Sequence, residues 1–369
     1  MTDKTIVFLT THLWKGQRKA GFHFLASAFS NLGWHVKFVT TGISLISNVA
    51  QDRRSREVES SGSDGIVEWF VEKTTAHPVD LRLPWLNALT APLFLKYYGR
   101  RPSKKLEEAI RQASHVVFES SCALFYVNTV CRLNASATLI YRVSDDVRVI
   151  KNHPAVRTVE DQIIERFDCI SIPSSILHKR RFSGYPTAHI HLHGLDTAAL
   201  DIELPSPYTS RRPIAVYVGS TLYDNNFLQV AHQQFSGIDF HVVGNIEPTI
   251  RSANVFYHGE MAFNQAVQFM KHADIGLALY RRQPGAEYLA ESSNKIAQFM
   301  YLGLPVITPD FVGANLTDHR VLCYTPNESE TIQAAMQTAL DMPKGVRGNI
   351  KAKSWLDVAT DIFECASAR

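Results

Sequence analysis

The chain has 369 residues, enough for two sizeable hydrophobic cores at roughly 100–200 residues per domain. Hydrophobic residues make up 45% and charged residues 20% of the sequence, which is ordinary for a globular protein. The formal net charge is only +3, so the composition gives no support for nucleic acid as a partner.

Sequence signals for export, membrane insertion and metal binding are absent. Residues 1–10 pass almost directly into an apolar run, which leaves no room for a signal peptide, and no uncharged apolar run approaches the ~18–20 residues of a spanning helix. Five cysteines without a C-x-x-C pair favour reduced, buried thiols over disulfides or zinc. The loop at residues 11–20 lacks the G-x-G-x-x-G pattern. We therefore expect a cytoplasmic protein without metal or nicotinamide cofactor.

The first half of the chain alternates short apolar runs rich in β-formers with segments of helical period. This alternation predicts βα units and a mostly parallel sheet. The predicted strands are Ile6–Thr10, Val36–Thr40, Ile66–Val71, Val116–Glu119, Thr138–Arg142, Cys169–Ile172 and Ala188–Leu192. Predicted helices include Phe22–Leu32, Lys104–Ala113, Leu124–Leu133 and Val156–Phe167.

Residues 81–105 combine apolar and aromatic residues with six basic ones. Two interpretations fit this composition equally. The segment either lies at an anionic membrane surface, with Trp85, Tyr97 and Tyr98 at headgroup level, or forms a buried helix with a basic surface flank.

Two adjacent carboxylates, Asp145 and Asp146, follow the predicted strand Thr138–Arg142. A partly desolvated carboxylate at a strand end can act as a general base in sugar transfer. Aspartate in this position more commonly caps the next turn or helix. Both interpretations stay open on the residues alone. His193, after the last predicted strand of this half, is interpreted as a structural histidine.

The segment Leu200–Pro213 contains three prolines and interrupts the alternation, so residues 201–213 are predicted to be a linker. We therefore predict an α/β protein of two Rossmann-like domains, at residues 1–200 and 214–369, that face each other across a deep cleft. The amphipathic segment 354–365 is either core of the second domain or a helix that packs back on the first. Predicted strands of the second domain are Ile214–Val218, Phe240–Val243, Val255–His258, Ile275–Leu279, Val306–Thr308 and Val321–Tyr324.

Three strand ends of the second domain carry residues suited to a nucleotide. The turn Gly219-Ser220-Thr221 follows the first strand, where glycine lets a ligand approach the backbone, although a plain turn is the alternative. The run His258–Met261 follows another strand and can read a uracil through its backbone edge. Tyr280 can stack on a ligand or donate its hydroxyl.

The run Glu291–Ile307 predicts a helix, a Gly-Leu-Pro turn and an apolar strand. Exposed N–H groups at a helix start attract phosphate, Ser292 and Ser293 add hydroxyl donors, and Lys295 adds a positive charge for a diphosphate. A capped helix without any ligand is the alternative. Because these three strand ends and this helix start point at one place, we predict a nucleotide-diphosphate site, which also includes the neighbouring Glu291 and Asn294.

Taken in order, these motifs resemble the GumK family of glucuronosyltransferases of xanthan assembly, glycosyltransferase family 70, of GT-B fold. The likeness covers nearly the whole chain. It is carried by Val117–Ser120, Tyr141–Asp145, His193–Asp196, Val218–Asp224, Gly259–Met261 and Glu291–Lys295 through Gly303–Pro305.

The resemblance implies inverting, metal-independent transfer of a sugar, with glucuronate expected, from a UDP-sugar to a polyprenyl-diphosphate-linked oligosaccharide in exopolysaccharide assembly. The protein would act peripherally at the inner face of the cytoplasmic membrane and need no cofactor besides its donor substrate. Asp145 falls on the family's catalytic base, and side-chain alternation along a strand lets only one of the two aspartates face the cleft. Positions that hold UDP in the family correspond to Glu260, Met261, Tyr280, Leu289, Ser292, Ser293, Lys295 and Gln298.

The sequence departs from the family at two methionines, which are Thr221 and Asn294 here, and in Arg281-Arg282 after Tyr280. The arginines suit a uronate carboxylate, a phosphate or solvent equally. Alternative functions are a UDP-sugar 2-epimerase or a retaining GT-B transferase. Outside the enzymes, the alternative is a catalytically silent UDP-binding scaffold of a polysaccharide assembly complex.

Overall fold

The structure is a computed structural model that describes residues 4–16, 19–45, 47, 54, 61–65, 67–220, 222–343 and 353–368. Its strands are β1 Thr5–Thr10, β2 His35–Ser44, β3 Ser61–Ser63, β4 Val67–Thr74, β5 His115–Glu119, β6 Thr138–Arg142, β7 Cys169–Ile172, β8 Ala188–Ile190, β9 Ile214–Val218, β10 Asp239–Val243, β11 Val255–Gly259, β12 Ile275–Leu277, β13 Val306–Pro309 and β14 Val321–Tyr324.

The helices are α1 Gly21–Asn31, α2 Pro84–Tyr97, α3 Lys104–Gln112, α4 Val127–Leu133, α5 Pro154–Ile163, α6 Ser175–Leu177, α7 Thr197–Asp201, α8 Asn225–Gln234, α9 Phe263–Lys271, α10 Leu289–Ser292, α11 Asn294–Tyr301, α12 Asp310–Gly313, α13 Ser329–Asp341 and α14 Trp355–Ser367. Short 3₁₀ segments lie at Cys122–Tyr126, Ile164–Arg166 and Ala286–Tyr288, and a π turn at His178–Phe182. Every predicted strand is present, with ends that differ by at most four residues.

The chain divides into two compact units that differ from the predicted domains. The first comprises residues 1–194 and 355–369, and the second comprises residues 195–354. The predicted linker therefore belongs to the second unit. Contacts with α9 and the residue after it explain the difference: Tyr208 Oη donates to the Phe269 carbonyl at 2.6 Å, and His272 Nε2 lies 2.6 Å from the Leu204 carbonyl.

The sheet of the first unit has the order β3-β4-β2-β1-β5-β6-β7-β8 among the described residues. All neighbours are parallel except β3 and β4. The edge strand β3 was not predicted, because its sequence Ser-Gly-Ser carries no apolar signal. The carboxyl ends of β1, β5 and β6 therefore lie at one edge, which positions the loops that follow them.

The last helix, α14, completes the core of the first unit. Its apolar face buries Trp355, Val358 and Ile362, and the Trp355 ring stacks on Phe24 of α1 with centroids 5.8 Å apart. Assignment of residues 214–369 to one domain was therefore wrong at this helix, and the alternative that it packs with the N-terminal unit is correct.

The second unit contains a parallel sheet of order β11-β10-β9-β12-β13-β14 in the part of the chain that the structure describes. This is the doubly wound order, in which strand order reverses at β9 and β12 and ligands bind beyond the carboxyl ends of the strands. The loops after β9 and β12 are joined there, since the Arg281 N–H donates to the Leu222 carbonyl at 2.7 Å.

Helix α2 carries an apolar stripe that faces solvent. Trp85, Leu89, Leu93 and Tyr97 follow each other at four-residue spacing and are 63%, 65%, 56% and 61% exposed. Tyr98 does not fit the membrane-surface interpretation, which placed it at headgroup level: it is buried, and its hydroxyl accepts the Gly42 N–H at 3.2 Å. Among the described residues, no helix combines the length and apolar character that crossing a bilayer requires.

The five cysteines are free thiols, but they are not uniformly buried. Cys122 and Cys169 are buried, Cys131 and Cys365 are partly exposed, and Cys323 is exposed. The expectation of buried thiols is therefore wrong at Cys323, which lies on the edge strand β14.

Candidate functional site

Glycines end three neighbouring strands of the second unit and leave bare backbone at the sheet edge. Gly219 after β9 and Gly244 after β10 have φ of +138° and +139°, values that favour glycine. A Cβ on Gly244 would lie 1.9 Å from the Gly219 carbonyl oxygen, so the two turns pack too closely for any side chain there. Gly219 was predicted from the sequence and Gly244 was not, although a glycine directly after an apolar strand was the available signal.

Lys295 lies at this glycine edge. Its Nζ is 4.2 Å from the centroid of the Tyr217 ring and 4.7 Å from that of Tyr280, so two aromatic faces hold the ammonium group. A Cβ on Gly219 would lie 2.9 Å from Nζ. The predicted proximity of the Gly-Ser turn, Tyr280 and Lys295 is therefore present within the second unit.

The helix that carries Lys295 starts later than the motif suggested. Helix α10 ends at Ser292, Ser293 is extended, and α11 begins at Asn294. The Ser293 hydroxyl caps α11 by accepting the Ile296 N–H at 3.3 Å and hydrogen bonds with Tyr280 Oη. The hydroxyl of Ser292 donates to the Tyr288 carbonyl at 3.1 Å. Both serine hydroxyls thus form bonds within the protein.

The other predicted donor residues surround this start of α11 or follow β11. Leu289 is buried, whereas Ser220, Glu260, Met261, Glu291, Asn294 and Gln298 are partly exposed. Asn294 Oδ1 is buried and has no hydrogen-bond partner among the described residues. Thr221 lies outside the described residues. Arg282 forms an ion pair with Asp310 at 2.5 Å, which occupies one of the two arginines after Tyr280.

Asp145 lies in the loop after β6 in the first unit. Ser120, at the end of β5, fixes this loop because its Oγ accepts the backbone N–H groups of Ser144 and Asp145, each at 3.0 Å. Asp145 itself is partly exposed, and β6 ends at Arg142, so strand alternation does not separate the two aspartates.

The two aspartates differ instead in their charged partners. Asp146 is 1% exposed and is paired with Arg180 at 2.5 Å and Arg181 at 2.7 Å. Arg181 also pairs with the buried Glu160. Asp146 therefore has the structural role that the sequence analysis left open for either residue, and Asp145 is the more accessible carboxylate of the pair.

His193 is structural, as predicted. It is partly exposed, and desolvation followed by the neighbouring Arg142 charge holds its pKa well below the usual value. Its Nδ1 lies 3.1 Å from Arg142, whose guanidinium is itself buried and donates to the Ser171 hydroxyl at 2.8 Å. Burial lowers the pKa of Arg142 to about 9.

A further polar pair in the first unit was not found from the sequence. His12, in the turn after β1, lies with Nε2 3.0 Å from Glu119 Oε1 at the end of β5. The available signal was a histidine and a glutamate, each directly after or at the end of a buried strand. Within the described part of the chain, no group of three or more His, Cys, Asp or Glu residues is arranged to hold a metal ion.

Comparisons with known proteins agree with this architecture. The family model described as glucuronosyltransferase GumK, N-terminal domain, matches residues 8–173. The UDP-glucuronate:glycolipid 2-beta-glucuronosyltransferase of Xanthomonas campestris pv. campestris is 30% identical over 342 residues, which cover 91% of this chain and 84% of that protein.

Solved structures with the same fold are more distant in sequence. HepE of Anabaena, solved with UDP and glucose, has a TM-score of 0.65 and 14% identity, and covers 99% of both chains. A glycosyltransferase of Rickettsia africae ESF-5 has a TM-score of 0.58 and 13% identity, covering 100% of this chain and 95% of that one. The protein is a glycosyltransferase of GT-B fold, and the chain belongs to the GumK glucuronosyltransferase family.

Proposed function

We propose that this protein transfers glucuronate from UDP-glucuronate to a lipid-linked oligosaccharide with inversion at the anomeric carbon and without a metal ion. The observation that carries the proposal is the Lys295 ammonium group, held by two tyrosine rings at the glycine edge of the second unit. The relative from Xanthomonas campestris is named for UDP-glucuronate as donor and a glycolipid as acceptor, which supports this choice of donor and of a lipid-bound acceptor.

Lys295 and the start of α11 would bind the diphosphate of the donor. Helix α11 presents backbone N–H groups and the positive end of its dipole at Asn294 and Lys295. Glycines at positions 219 and 244 allow an anion to approach the backbone closely. Fixed positive groups of this kind stabilise the charge that develops on the leaving UDP, which is the task of a divalent ion in other glycosyltransferases.

Asp145 would act as the general base. It would accept the proton of the acceptor hydroxyl while that oxygen bonds to the anomeric carbon and the bond from this carbon to the UDP oxygen breaks. Two features support this role. Asp146 is committed to arginines, and the Ser120 hydroxyl holds the backbone of the Asp145 loop in place.

Asp145→Asn tests the base directly. We expect UDP affinity to stay at the wild-type value and transfer to fall roughly 10²–10⁴-fold, the usual contribution of a general base. Asp161→Asn is the matched control, because Asp161 is 54% exposed on α5. Transfer by Asp145→Asn within about tenfold of the wild type would refute the assignment. Retention of anomeric configuration in the product, or epimerised UDP-sugar without an acceptor, would instead favour the alternative enzymes.

The donor sugar is tested by ligand-induced stabilisation. A ligand that binds only the folded state raises the unfolding midpoint by mass action. We expect UDP-glucuronate to give a larger shift than UDP-glucose, UDP-galactose or their N-acetyl analogues at equal concentration. An equal or smaller shift with UDP-glucuronate contradicts the proposed donor.

The apolar stripe of α2 supports peripheral binding to an anionic membrane. Leu89 and Leu93 present large apolar side chains to solvent, and exposed basic residues flank the stripe at Arg82, Lys96, Arg100, Arg101 and Lys104. Such a combination suits the boundary between acyl chains and anionic headgroups. A protein bound to the membrane through α2 would have access to a lipid-linked acceptor.

Leu89→Glu tests membrane binding without disturbing a core, because Leu89 is 65% exposed. We expect this variant to lose cosedimentation with phosphatidylglycerol vesicles while its unfolding midpoint is unchanged. Leu356→Glu is the control, since Leu356 is 44% exposed on α14 and lies outside the stripe. Equal sedimentation of both variants would contradict the membrane role of α2.

A further inference from the structure

Two consecutive arginines follow β12, and their surroundings differ. Arg282 is paired with Asp310 at 2.5 Å, and its guanidinium carbon lies 5.0 Å from the centroid of the Phe311 ring. Arg281 is exposed as well, but its side chain forms no ion pair and no hydrogen bond with any residue that the structure describes. Of the two guanidinium groups, that of Arg281 is therefore the one available to an anionic ligand.

The backbone of Arg281 is fixed between the ends of two strands. Its N–H donates to the Leu222 carbonyl at 2.7 Å, and the preceding Tyr280 forms an antiparallel bridge with Tyr223. These contacts join the loop after β9 to the end of β12, the pair of strands at which the order of this sheet reverses. Ligands of doubly wound sheets bind at that point. Arg281 therefore lies where the donor substrate is expected to bind.

The loop that contacts Arg281 contains a strained residue. Leu222 has a φ of +51°, in the left-handed region that residues with a branched side chain rarely adopt. The hydrogen bond from the Arg281 N–H and the neighbouring bridge hold Leu222 in this conformation. Strained backbone persists only where the surrounding contacts over-determine it, and it is concentrated at ligand sites. The strain is thus a second observation, independent of charge, that points to a ligand beside Arg281.

A buried carboxylate, Asp224, acts on Arg281 without contacting it. Asp224 Oδ1 accepts the Asn226 N–H at 3.1 Å, and Oδ2 accepts a hydrogen bond from Tyr324 Oη at 2.9 Å. Burial raises the pKa of Asp224, whereas these hydrogen bonds and the charge of Arg281 act in the opposite direction. The guanidinium of Arg281 therefore lies in the field of Asp224, but its N–H groups are not used by that carboxylate.

Lys295 supplies another positive charge at this edge of the sheet. Its Nζ lies 4.7 Å from the ring centroid of Tyr280, the residue directly before Arg281. Because consecutive Cα atoms are about 3.8 Å apart, the two cations flank one short segment of the chain. The Tyr280 side chain is buried against Lys295, whereas the Arg281 side chain is exposed, so the two side chains leave the backbone in different directions. This arrangement fits a ligand with two separate anionic groups.

The two cations suit different anions. A lysine ammonium group is a point charge that binds phosphate, and the N–H groups at the start of α11 bind the same kind of group. The planar guanidinium of an arginine can form two parallel N–H···O bonds with a carboxylate. A UDP-uronate carries both anions, a diphosphate and the carboxylate of its sugar. A neutral UDP-hexose has a hydroxymethyl group in place of that carboxylate.

We propose that the guanidinium of Arg281 binds the carboxylate of the uronate in the donor and thereby distinguishes a UDP-uronate from a neutral UDP-hexose. The inference rests on the proposed function, because it requires a uronate donor whose diphosphate is bound at Lys295. It assigns selectivity for the donor sugar to Arg281, while Arg282 has a structural role in its ion pair with Asp310.

Three variants test this assignment. Arg281→Gln removes the charge of an exposed side chain, and Arg281→Lys keeps the charge but loses the paired donors. Arg282→Gln is the matched control, because it removes the same charge from the next residue along the chain. Calorimetric titration of the full chain with UDP, UDP-glucose and UDP-glucuronate measures three dissociation constants for each variant, and the unfolding midpoint checks that each variant is folded.

We expect Arg281→Gln to weaken the binding of UDP-glucuronate roughly 10–150-fold, the value of a hydrogen bond to a charged group, and to leave the binding of UDP and UDP-glucose unchanged. Arg281→Lys should weaken UDP-glucuronate binding less, and Arg282→Gln should bind all three ligands as the wild type does. Equal weakening of all three ligands by Arg281→Gln overturns the proposal, because the guanidinium then binds the diphosphate. Unchanged binding of UDP-glucuronate, or an equal loss in Arg282→Gln, also overturns it.

The same titrations distinguish a failure of this inference from a failure of the proposed function. If the wild type prefers UDP-glucuronate to UDP-glucose and Arg281→Gln keeps that preference, the role of Arg281 is wrong and the proposed donor stands. If the wild type has no such preference, both are wrong. If the expected loss is measured but no sugar is transferred to a lipid-linked acceptor, the role of Arg281 in binding stands and the proposed transfer is wrong.

Discussion

Replacing Gly219 with alanine should displace Lys295 and weaken UDP binding. The new Cβ would lie 2.9 Å from Lys295 Nζ and 3.2 Å from Cε, and the flexible end of the lysine moves more readily than the strand. Backbone strain at φ +138° costs about 1–3 kcal/mol, and loss of the ammonium contact with the tyrosine rings costs about 1 kcal/mol more. We therefore expect the free energy of unfolding to fall by about 2–4 kcal/mol.

UDP affinity should fall further than stability alone explains. A hydrogen bond to a charged group contributes about 1.5–3 kcal/mol, which corresponds to roughly a 10–150-fold weaker dissociation constant when it is lost. Urea unfolding measures the first quantity, and calorimetric titration with UDP at a temperature where the variant is folded measures the second.

Alanine substitutions at two other glycines separate the effect of backbone strain from the effect of displacing Lys295. Gly33→Ala introduces an alanine at φ +83° with no atom within 4 Å, so it should cost about 1 kcal/mol of strain and leave UDP binding unchanged. Gly237→Ala has open space and an ordinary φ, so both quantities should match the wild type. If Gly219→Ala binds UDP as tightly as Gly33→Ala does, the position of Lys295 is not what binds the diphosphate.

Three further predictions concern stability. Arg181→Met leaves two buried carboxylates without their shared cation, so the free energy of unfolding measured in urea should fall by about 3–5 kcal/mol. Arg111→Met, at an exposed ion pair, should lower it by under about 1 kcal/mol. Equal losses in the two variants would contradict the role of burial. Asn294→Leu removes a buried oxygen that lacks a partner and should raise the free energy of unfolding by about 1–3 kcal/mol, and a lower value would show that the oxygen is satisfied. Burial lowers the pKa of His23 from 6.5 to about 3, so between these pH values the unfolded state binds a proton that the folded state does not bind. The free energy of unfolding should therefore fall on acidification by about 1.4 kcal/mol per pH unit from this residue. His23→Gln should flatten that slope, whereas His319→Gln, at an exposed histidine, should leave it unchanged.

Local patterns predicted most of the fold because strands and helices follow from apolar periodicity and turn residues. The same reasoning brought Gly219 and Lys295 together, because Gly219 follows a strand of the parallel sheet and Lys295 lies at the start of a helix that the motif directed to the same sheet edge. Contacts that depend on the order of the strands in the sheet could not be predicted from the sequence. Glu119 and His12 are more than a hundred residues apart, and they meet only because β5 lies beside β1 in the sheet.

The different roles of Asp145 and Asp146 also could not be predicted from the sequence. Their separation depends on Arg180 and Arg181, which lie in an irregular turn with no periodic signal. The burial of Tyr98 at the end of α2 could not be predicted either. An aromatic residue beside basic ones is typical of a surface segment, and the hydrogen bond of its hydroxyl with the Gly42 N–H is evident only in the structure.

The placement of α14 constrains how the polypeptide can be synthesised and divided. Trp355, Val358 and Ile362 leave the ribosome only after the whole second unit, so the first unit stays without this part of its core during most of translation. A recombinant fragment ending near residue 194 would expose the α1 surface and should aggregate. Residues 195–354 are the better fragment, because their two ends already meet where the Leu195 N–H donates to the Lys353 carbonyl at 2.9 Å.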